Sequence, residues 1–236
     1  MIPWLGIDDP FPPVHTALRE PNGLLAAGAD LSLPRLLDAY RQGIFPWYGE
    51  EDPLLWWSPD PRMVLWLDEF HLSRSLRRVI DSRRFRVTLD TAFGAVMEGC
   101  AEPRDDDAGT WITTEMMAAY TALAEAGHGH SVEAWDGQQL VGGLYGVALG
   151  RMFFGESMFR RRANASKVAL ATLVVQLQRW GFELIDCQMS TSHLASLGAR
   201  EIPRAEFGGH VARLAARPAV PSPWRLDEDL SNRMRK

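Results

Sequence analysis

The sequence is poor in cysteine, has no long apolar run and carries no excess of positive charge, and each shortage narrows what the chain can be. Two cysteines in 236 residues, Cys100 and Cys187, build no disulfide framework and lack the spacing of a zinc site. That usage points to a reducing compartment. The first residues, Met1-Ile2-Pro3-Trp4 and then Asp8-Asp9-Pro10, contain neither a basic n-region nor an apolar h-region, so no secretory signal is read there. No uninterrupted apolar stretch reaches the roughly 18 residues of a membrane span. The expectation is a cytoplasmic protein with no membrane partner. A formal charge of −5 argues against coating nucleic acid through bulk charge, so any RNA contact needs a local patch. There is no internal repeat, no low-complexity linker, no P-loop and no G-x-G-x-x-G.

What is present is a core-forming composition, 46% hydrophobic, with a change of period along the chain. Residues 30–43 read as a first helix, with Asp30 or Ser32 as cap, Pro34 in the first turn and a Leu33, Leu36, Leu37, Tyr40 stripe. Residues 44–62, rich in proline and tryptophan, read as an ordered irregular loop. Helices are expected over 73–80, 91–100 and 114–126, with a strand over 85–90. Residues 131–135, 139–149 and 151–156 then alternate as an antiparallel meander turned at Asp136-Gly137 and Gly150. Gly142, Gly143 and Gly146 suggest bulges or close backbone approach. A long helix over 166–180 and an apolar strand over 182–187 follow. Meander, helix, strand, helix is the order of an N-acetyltransferase-like (GNAT) core. The expected fold is α+β: a small N-terminal α/β domain over 1–62, then over 63–236 a GNAT-like catalytic core with a mainly antiparallel sheet flanked by helices.

Three clusters carry chemistry. On the last strand, alternation sends Asp186 and Gln188 to one face and Cys187 to the other. An acid and an amide together suit the handling of a small polar group, although they would equally cap the turn Ser190-Thr191-Ser192. Glu156, in Phe153-Phe154-Gly155-Glu156-Ser157-Met158, is costly to bury unpaired, so it reaches solvent or meets a cation. The third cluster is Arg74, Arg77, Arg78, Arg83, Arg84 and Arg86, against the single acid Asp81. Arginine's planar fork suits phosphate, the alternative being a solvated helix face. A second basic run, Arg160-Arg161-Arg162 with Lys167, precedes the long helix, whose N-terminus itself favours an anion. Nine tryptophans are unevenly placed, Trp47, Trp56, Trp57 and Trp66 lying close together, either as aromatic core or as platforms for a base. The stretch 160–166 contains no glycine, whereas a GNAT fold that holds acetyl-CoA carries a Gly-rich pyrophosphate loop there; the acyl donor is therefore expected to be something else.

Together the strings R-E-P-N-G-L-L-A (19–26), G-I-F-P-W (43–47), W-W-S-P-D-P-R (56–62), G-T-W-I-T (109–113), G-H-G-H-S-V-E (127–133), G-E-S-M-F (155–159), N-A-S-K (164–167), L-I-D-C-Q (184–188) and A-S-L-G-A (195–199) resemble the leucyl/phenylalanyl-tRNA–protein transferase family. The resemblance implies transfer of Leu, Phe or Met from aminoacyl-tRNA to an acceptor protein beginning with Lys or Arg, forming an N-end rule degradation signal. It implies no cofactor and no metal, and a monomer is expected. It further implies that Trp47 and Trp111 embrace the terminal adenosine, with Arg74, Arg77, Arg78, Arg83 and Arg84 on acceptor-stem phosphates. The acidic stretch 105–107 and the tail after about 217 are less family-like and receive no role.

The reaction so implied is aminolysis of an activated ester. Full proton transfer from an α-ammonium to an aspartate of ordinary pKa is uphill by about 5 kcal/mol. Asp186 is therefore expected to orient the amine, with Gln188 holding or relaying the proton, unless burial raises its pKa. Phe153, Met158, Leu170 and Ile185 are the expected donor pocket, Ser157 joins the substrate-binding set, and Glu156 is expected to meet the acceptor's cationic side chain. Rival readings are an acyl-CoA acetyltransferase, an aminoacyl-tRNA-dependent cell-wall ligase and a non-catalytic RNA-binding module. If the six arginines neutralise phosphates, log affinity for tRNA plotted against log salt has a slope of about −4 to −5. A flat profile in a filter-binding titration removes them from the interface.

Overall fold

The computed structural model describes residues 2–103 and 112–230. Trp111 and the acidic stretch 105–107 lie outside the described residues. The chain opens with β1 (Trp4–Leu5), β2 (Leu24–Gly28), helix α1 (Leu33–Arg41), β3 (Phe45–Pro46) and β4 (Leu55–Trp57), whose strands form a small sheet ordered β1-β2-β4-β3. The span expected to be irregular thus holds two short strands and the start of a third. Its prolines hid them: proline gives no N–H to a ladder, and Pro46 is tolerated because β3 is the sheet's edge.

The remaining elements are β5 (Arg62–Trp66), α2 (Arg74–Asp81), β6 (Arg86–Leu89), α3 (Phe93–Ala101), α4 (Thr114–Glu125), β7 (Gly129–Asp136), β8 (Gln139–Leu149), β9 (Met152–Arg160), α5 (Ala165–Arg179), β10 (Leu184–Gln188), α6 (Ser192–Ala195), β11 (Arg200–Ile202) and α7 (Arg204–Ala215). Side-chain caps start several helices where polar hydroxyls precede apolar stripes. Ser73 accepts from the Leu76 amide, and Thr113 from that of Met116. The strands form one sheet, β11-β5-β10-β9-β8-β7-β6, antiparallel throughout except where β9 and β10 run side by side in parallel. Element order and sheet character are those of the expected α+β, GNAT-like core. The meander's third strand runs on to Arg160, past Glu156, where it was expected to stop.

Two cores cover the two faces of this sheet. On one, α5 buries Leu170, Leu173, Val174 and Leu177 against Phe153 and Ile185. On the other, Met97 of α3, Tyr120 of α4 and Tyr40 of α1 pack with Trp56, Tyr145 and Phe154, which joins the small sheet to the large one. The tail also has a place. Trp224 stacks on His130 with ring centroids 3.5 Å apart, and its amide donates to Asp90, which also bonds the His130 ring and the Ser131 amide. The string at 127–133 is in this respect a structural clasp.

One side chain ties these parts together. Arg62 is fully buried at the start of β5. Its Nε and Nη2 donate to Asp186 Oδ1 and Oδ2 at 2.8 and 2.6 Å, and its Nη1 donates to the Gly43 carbonyl at 3.1 Å. The guanidinium carbon lies 4.8 Å from the Phe45 ring and 4.6 Å from that of Phe207 on α7. A buried ion pair is tolerable only with good geometry and further hydrogen bonds; this one is forked, and the Gly43 carbonyl takes a third guanidinium N–H. Removing one partner leaves a bare buried charge. Arg62→Met is expected to destabilise the protein by about 3–5 kcal/mol in urea unfolding, and Arg62→Met with Asp186→Leu to recover most of that loss. If the two losses instead add, the pair does not hold the fold in this way.

Candidate active site

The site is made by two extra residues in neighbouring strands. Between β8 and β9, Gly146 faces Gly155 and Tyr145 faces Ser157, so Glu156 is a residue too many on its strand. Between β5 and β10, Val64 faces Asp186 and Met63 faces Gln188, which leaves Cys187 extra. Such bulges bend and twist their strands. β9 and β10 pair at Phe153 with Ile185 and at Phe154 with Asp186, just short of both bulges, and then part. Gln188 completes the departure with φ of 62°, the left-handed region. Close approach on β8 needs Gly146: a Cβ there would lie 2.2 Å from the Phe154 carbonyl oxygen.

The gap between the strands is a cavity of about 400 Å³. Phe153, Met158, Leu170 and Ile185 supply an apolar wall with Leu144, while Glu156, Ser157, Asp186 and Gln188 supply the polar groups. Trp47 lines it as well, seated by the bond from Trp57 Nε1 to its carbonyl (2.6 Å) and by the edge of the Trp57 ring. Sequence reasoning had named all of these lining residues except Leu144. Ile112, beside Trp111, is buried. The arginines are elsewhere: Arg74, Arg77 and Arg78 on α2, with Arg83 and Arg84 in the turn after it, and none lines the cavity. All but Arg77 are exposed, and among the described residues Arg84 alone of the five has an acid at ion-pair distance, Asp136 at 3.6 Å.

Sequence reasoning missed the partners. Glu156 Oε1 accepts from Tyr40 Oη at 2.7 Å and from Gln188 Nε2 at 3.0 Å, and its Oε2 accepts from Tyr120 Oη at 3.0 Å. Burial pushes the Glu156 carboxyl up to about 7, although both tyrosine hydrogen bonds pull it down; nearby Asp186 adds to the rise and Arg62 opposes it. Burial, and then the Glu156 charge, hold the Tyr40, Tyr120 and Tyr145 phenols well above their usual range, so these hydroxyls stay donors. Tyr40 was read only as a helix stripe, and nothing local in sequence links it to residue 156.

Asp186 is fully buried, with Oδ1 accepting from Arg62 Nε and from the Gln188 amide (2.9 Å) and Oδ2 from Arg62 Nη2. Arg62 had been quoted within a string but given no role. The bulge at Cys187 breaks the expected alternation, yet Asp186, Cys187 and Gln188 all reach the cavity. Burial raises the Cys187 thiol, so it is a poor nucleophile. Among the described residues no three His, Cys, Asp or Glu side chains stand together as a metal site, and no helix is long and apolar enough to cross a membrane.

Comparison with known proteins adds two kinds of likeness. In fold, the chain is similar to L-PGS from Bacillus licheniformis, with 10% identity, TM-score 0.44, and coverage of 81% of this chain and 73% of that one. It is also similar to a GCN5-related N-acetyltransferase-like protein from Streptococcus suis, with 14% identity, TM-score 0.34, and coverage of 75% and 67%. In sequence, it is 58% identical to the leucyl/phenylalanyl-tRNA–protein transferase of Nitrosospira multiformis over 97% of this chain and 99% of that protein. It is 60% identical to that of Stutzerimonas stutzeri over 95% and 100%. The family described as leucyl/phenylalanyl-tRNA protein transferase matches residues 64–212, and its N-terminal domain matches residues 29–60. The chain belongs to the leucyl/phenylalanyl-tRNA–protein transferase family of aminoacyltransferases.

Proposed function

We propose that the protein transfers Leu, Phe or Met from aminoacyl-tRNA to the N-terminal Lys or Arg of an acceptor protein, making an N-end rule degradation signal, and that it acts as a cytoplasmic monomer. The observation that carries this reading is a single cavity bordered by Trp47, an apolar wall and the Asp186–Gln188–Glu156 group. The wall of Phe153, Met158, Leu170 and Ile185 suits a large apolar side chain, the branched Leu, the ring of Phe or the flexible Met. Such pockets discriminate by only about 1–3 kcal/mol per methylene, which fits several apolar donors better than one. Trp47, with Trp111 as its expected partner, takes a face of the terminal adenosine, and Arg74, Arg77, Arg78, Arg83 and Arg84 take phosphates further along.

In the reaction the acceptor's α-amine attacks the ester carbonyl, the bond to the ribose oxygen breaks, and that oxygen leaves as a hydroxyl. The ester is already activated, so no nucleotide hydrolysis is required. Asp186, forked onto Arg62, acts as a fixed charge that orients the amine through Gln188, and not as the group that takes its proton. Ser157 borders the same space. Of the two carboxylates in the wall, Asp186 is matched by a guanidinium, which leaves Glu156 for the acceptor's cationic side chain. A second reading is favoured by its pKa of about 7. An α-amine of pKa about 7.7–8.0 would pass it a proton at a cost of roughly 1 kcal/mol.

The direct test is transfer of labelled Leu from leucyl-tRNA to a protein beginning with Arg; no transfer, with tRNA binding intact, removes the function. Glu156→Gln separates the two readings. Loss of preference for Arg over Ala at the acceptor's first position, by about tenfold or more, supports side-chain recognition. An equal loss with every acceptor, together with loss of a rate limb rising through pH 7, supports proton transfer.

Stability carries its own signature. A glutamate titrates near 4.5 when unfolded and Glu156 at about 7 when folded, so the folded state holds this proton more tightly. The contribution is fullest below pH 4.5 and is lost as pH rises through 7. Glu156→Gln should therefore stabilise the protein more at pH 8 than at pH 5, by on the order of 3 kcal/mol at most, which is read as a larger rise in thermal midpoint at the higher pH. Equal shifts at both pH values contradict the raised carboxyl.

A further inference from the structure

The second basic run has no part in the site so far, and its members differ. Arg161 is engaged: its guanidinium forks onto Glu102 at 2.5 and 3.3 Å. Arg160 and Lys167 face no carboxylate at ion-pair distance among the described residues. Their positions follow from register. Met158 faces Leu144 and Arg160 faces Gly142, so Met158 and Arg160 share the side of β9 covered by α5. Gly142 there lies under the first residues of α5, since a Cβ on it would meet Ala165 Cβ at 2.7 Å and the Ser166 amide at 3.0 Å. On α5, Lys167 is three residues before Leu170 and on the same face. Met158 and Leu170 are cavity wall, so Arg160 and Lys167 stand at the cavity's outer end. His193 of α6 lines the same cavity. Burial, and then the charges of Lys167 and Arg160, hold its imidazole below the usual range.

We infer that Arg160, Lys167 and His193 form an anion site for the phosphodiester that precedes the donor's terminal nucleotide. The inference rests on the transferase reading and deepens it. With the aminoacyl ester in the cavity, the nearest phosphate is one sugar away from the reacting carbon, outside the apolar wall. The cavity's two carboxylates do not compete: Asp186 is matched by Arg62, and Glu156 is engaged by Tyr40, Tyr120 and Gln188. The first amides of α5 add their partial positive charge to the same spot. The α2 arginines then serve phosphates further along the RNA, and this site serves the first.

Two donors isolate that phosphate: the leucyl ester of adenosine, which has none, and the leucyl ester of cytidylyl-adenosine, which has one. For the intact protein, kcat/KM should favour the second by about tenfold or more. In Arg160→Ser with Lys167→Ser the ratio should fall to about one to three, and the single variants Arg160→Gln and Lys167→Gln, which serve if the double does not fold, should fall between. Arg161→Ser, a control for net charge, should keep the full ratio. Inorganic phosphate at donor concentration should leave the ratio in place; if it erases it, the site belongs to free phosphate and the assignment fails. A ratio retained without Arg160 and Lys167, or missing in the intact protein, overturns the inference. If neither ester is a donor for the intact protein but leucyl-tRNA is, the transferase reading stands and the site does not.

Discussion

Everything at the active site leans on the buried contact between Arg62 and Asp186. Charge is costly inside a protein, and the guanidinium offsets that cost by engaging both carboxylate oxygens while lying between two phenyl rings. It also joins three parts of the chain: the turn after α1 through Gly43, the start of strand β5, and the end of β10. The carboxylate so held presents its neighbour, since the Gln188 amide is bound to it and the Gln188 side chain reaches Glu156. A buried ion pair thereby sets where the cavity end of a strand stands.

The two carboxylates of the cavity illustrate how environment divides labour. Asp186 is buried with a fixed positive partner, which suits a permanent charge. Glu156 is buried without a cation, and burial pushes its pKa up to about 7 against the pull of two phenol hydrogen bonds. The rings that enclose it come from α1 and α4, the first lying in the segment that carries the small sheet. The N-terminal part of the chain is in that sense a component of the site and not an appendage to it, for it also brings Trp47 to the cavity rim.

Much of this was legible in residue patterns. The helices at 33–41, 74–81, 114–125 and 165–179 fell within a few residues of expectation, as did the meander. Asp186, Gln188 and Glu156 stood out as polar groups on apolar strands, while Trp47 and the pocket wall were named through the family resemblance. Pairings across long separations were not. Arg62 and Asp186 are 124 positions apart, and Tyr40 and Glu156 are 116, distances over which periodicity is silent. The bulges were equally hidden, because a residue too many leaves the alternation looking merely imperfect. Short strands between prolines read as loop for want of enough residues to alternate. The tail beyond 217 gave no period at all, yet Trp224 is among the most buried large side chains.

The opening between β9 and β10 is written into the main chain and not into the side chains that border it. Wall residues can therefore be exchanged for larger or smaller ones without the sheet zipping shut, because what keeps it apart is a count of residues per strand. A protein built this way can drift in which acyl group it prefers while its catalytic end stays put.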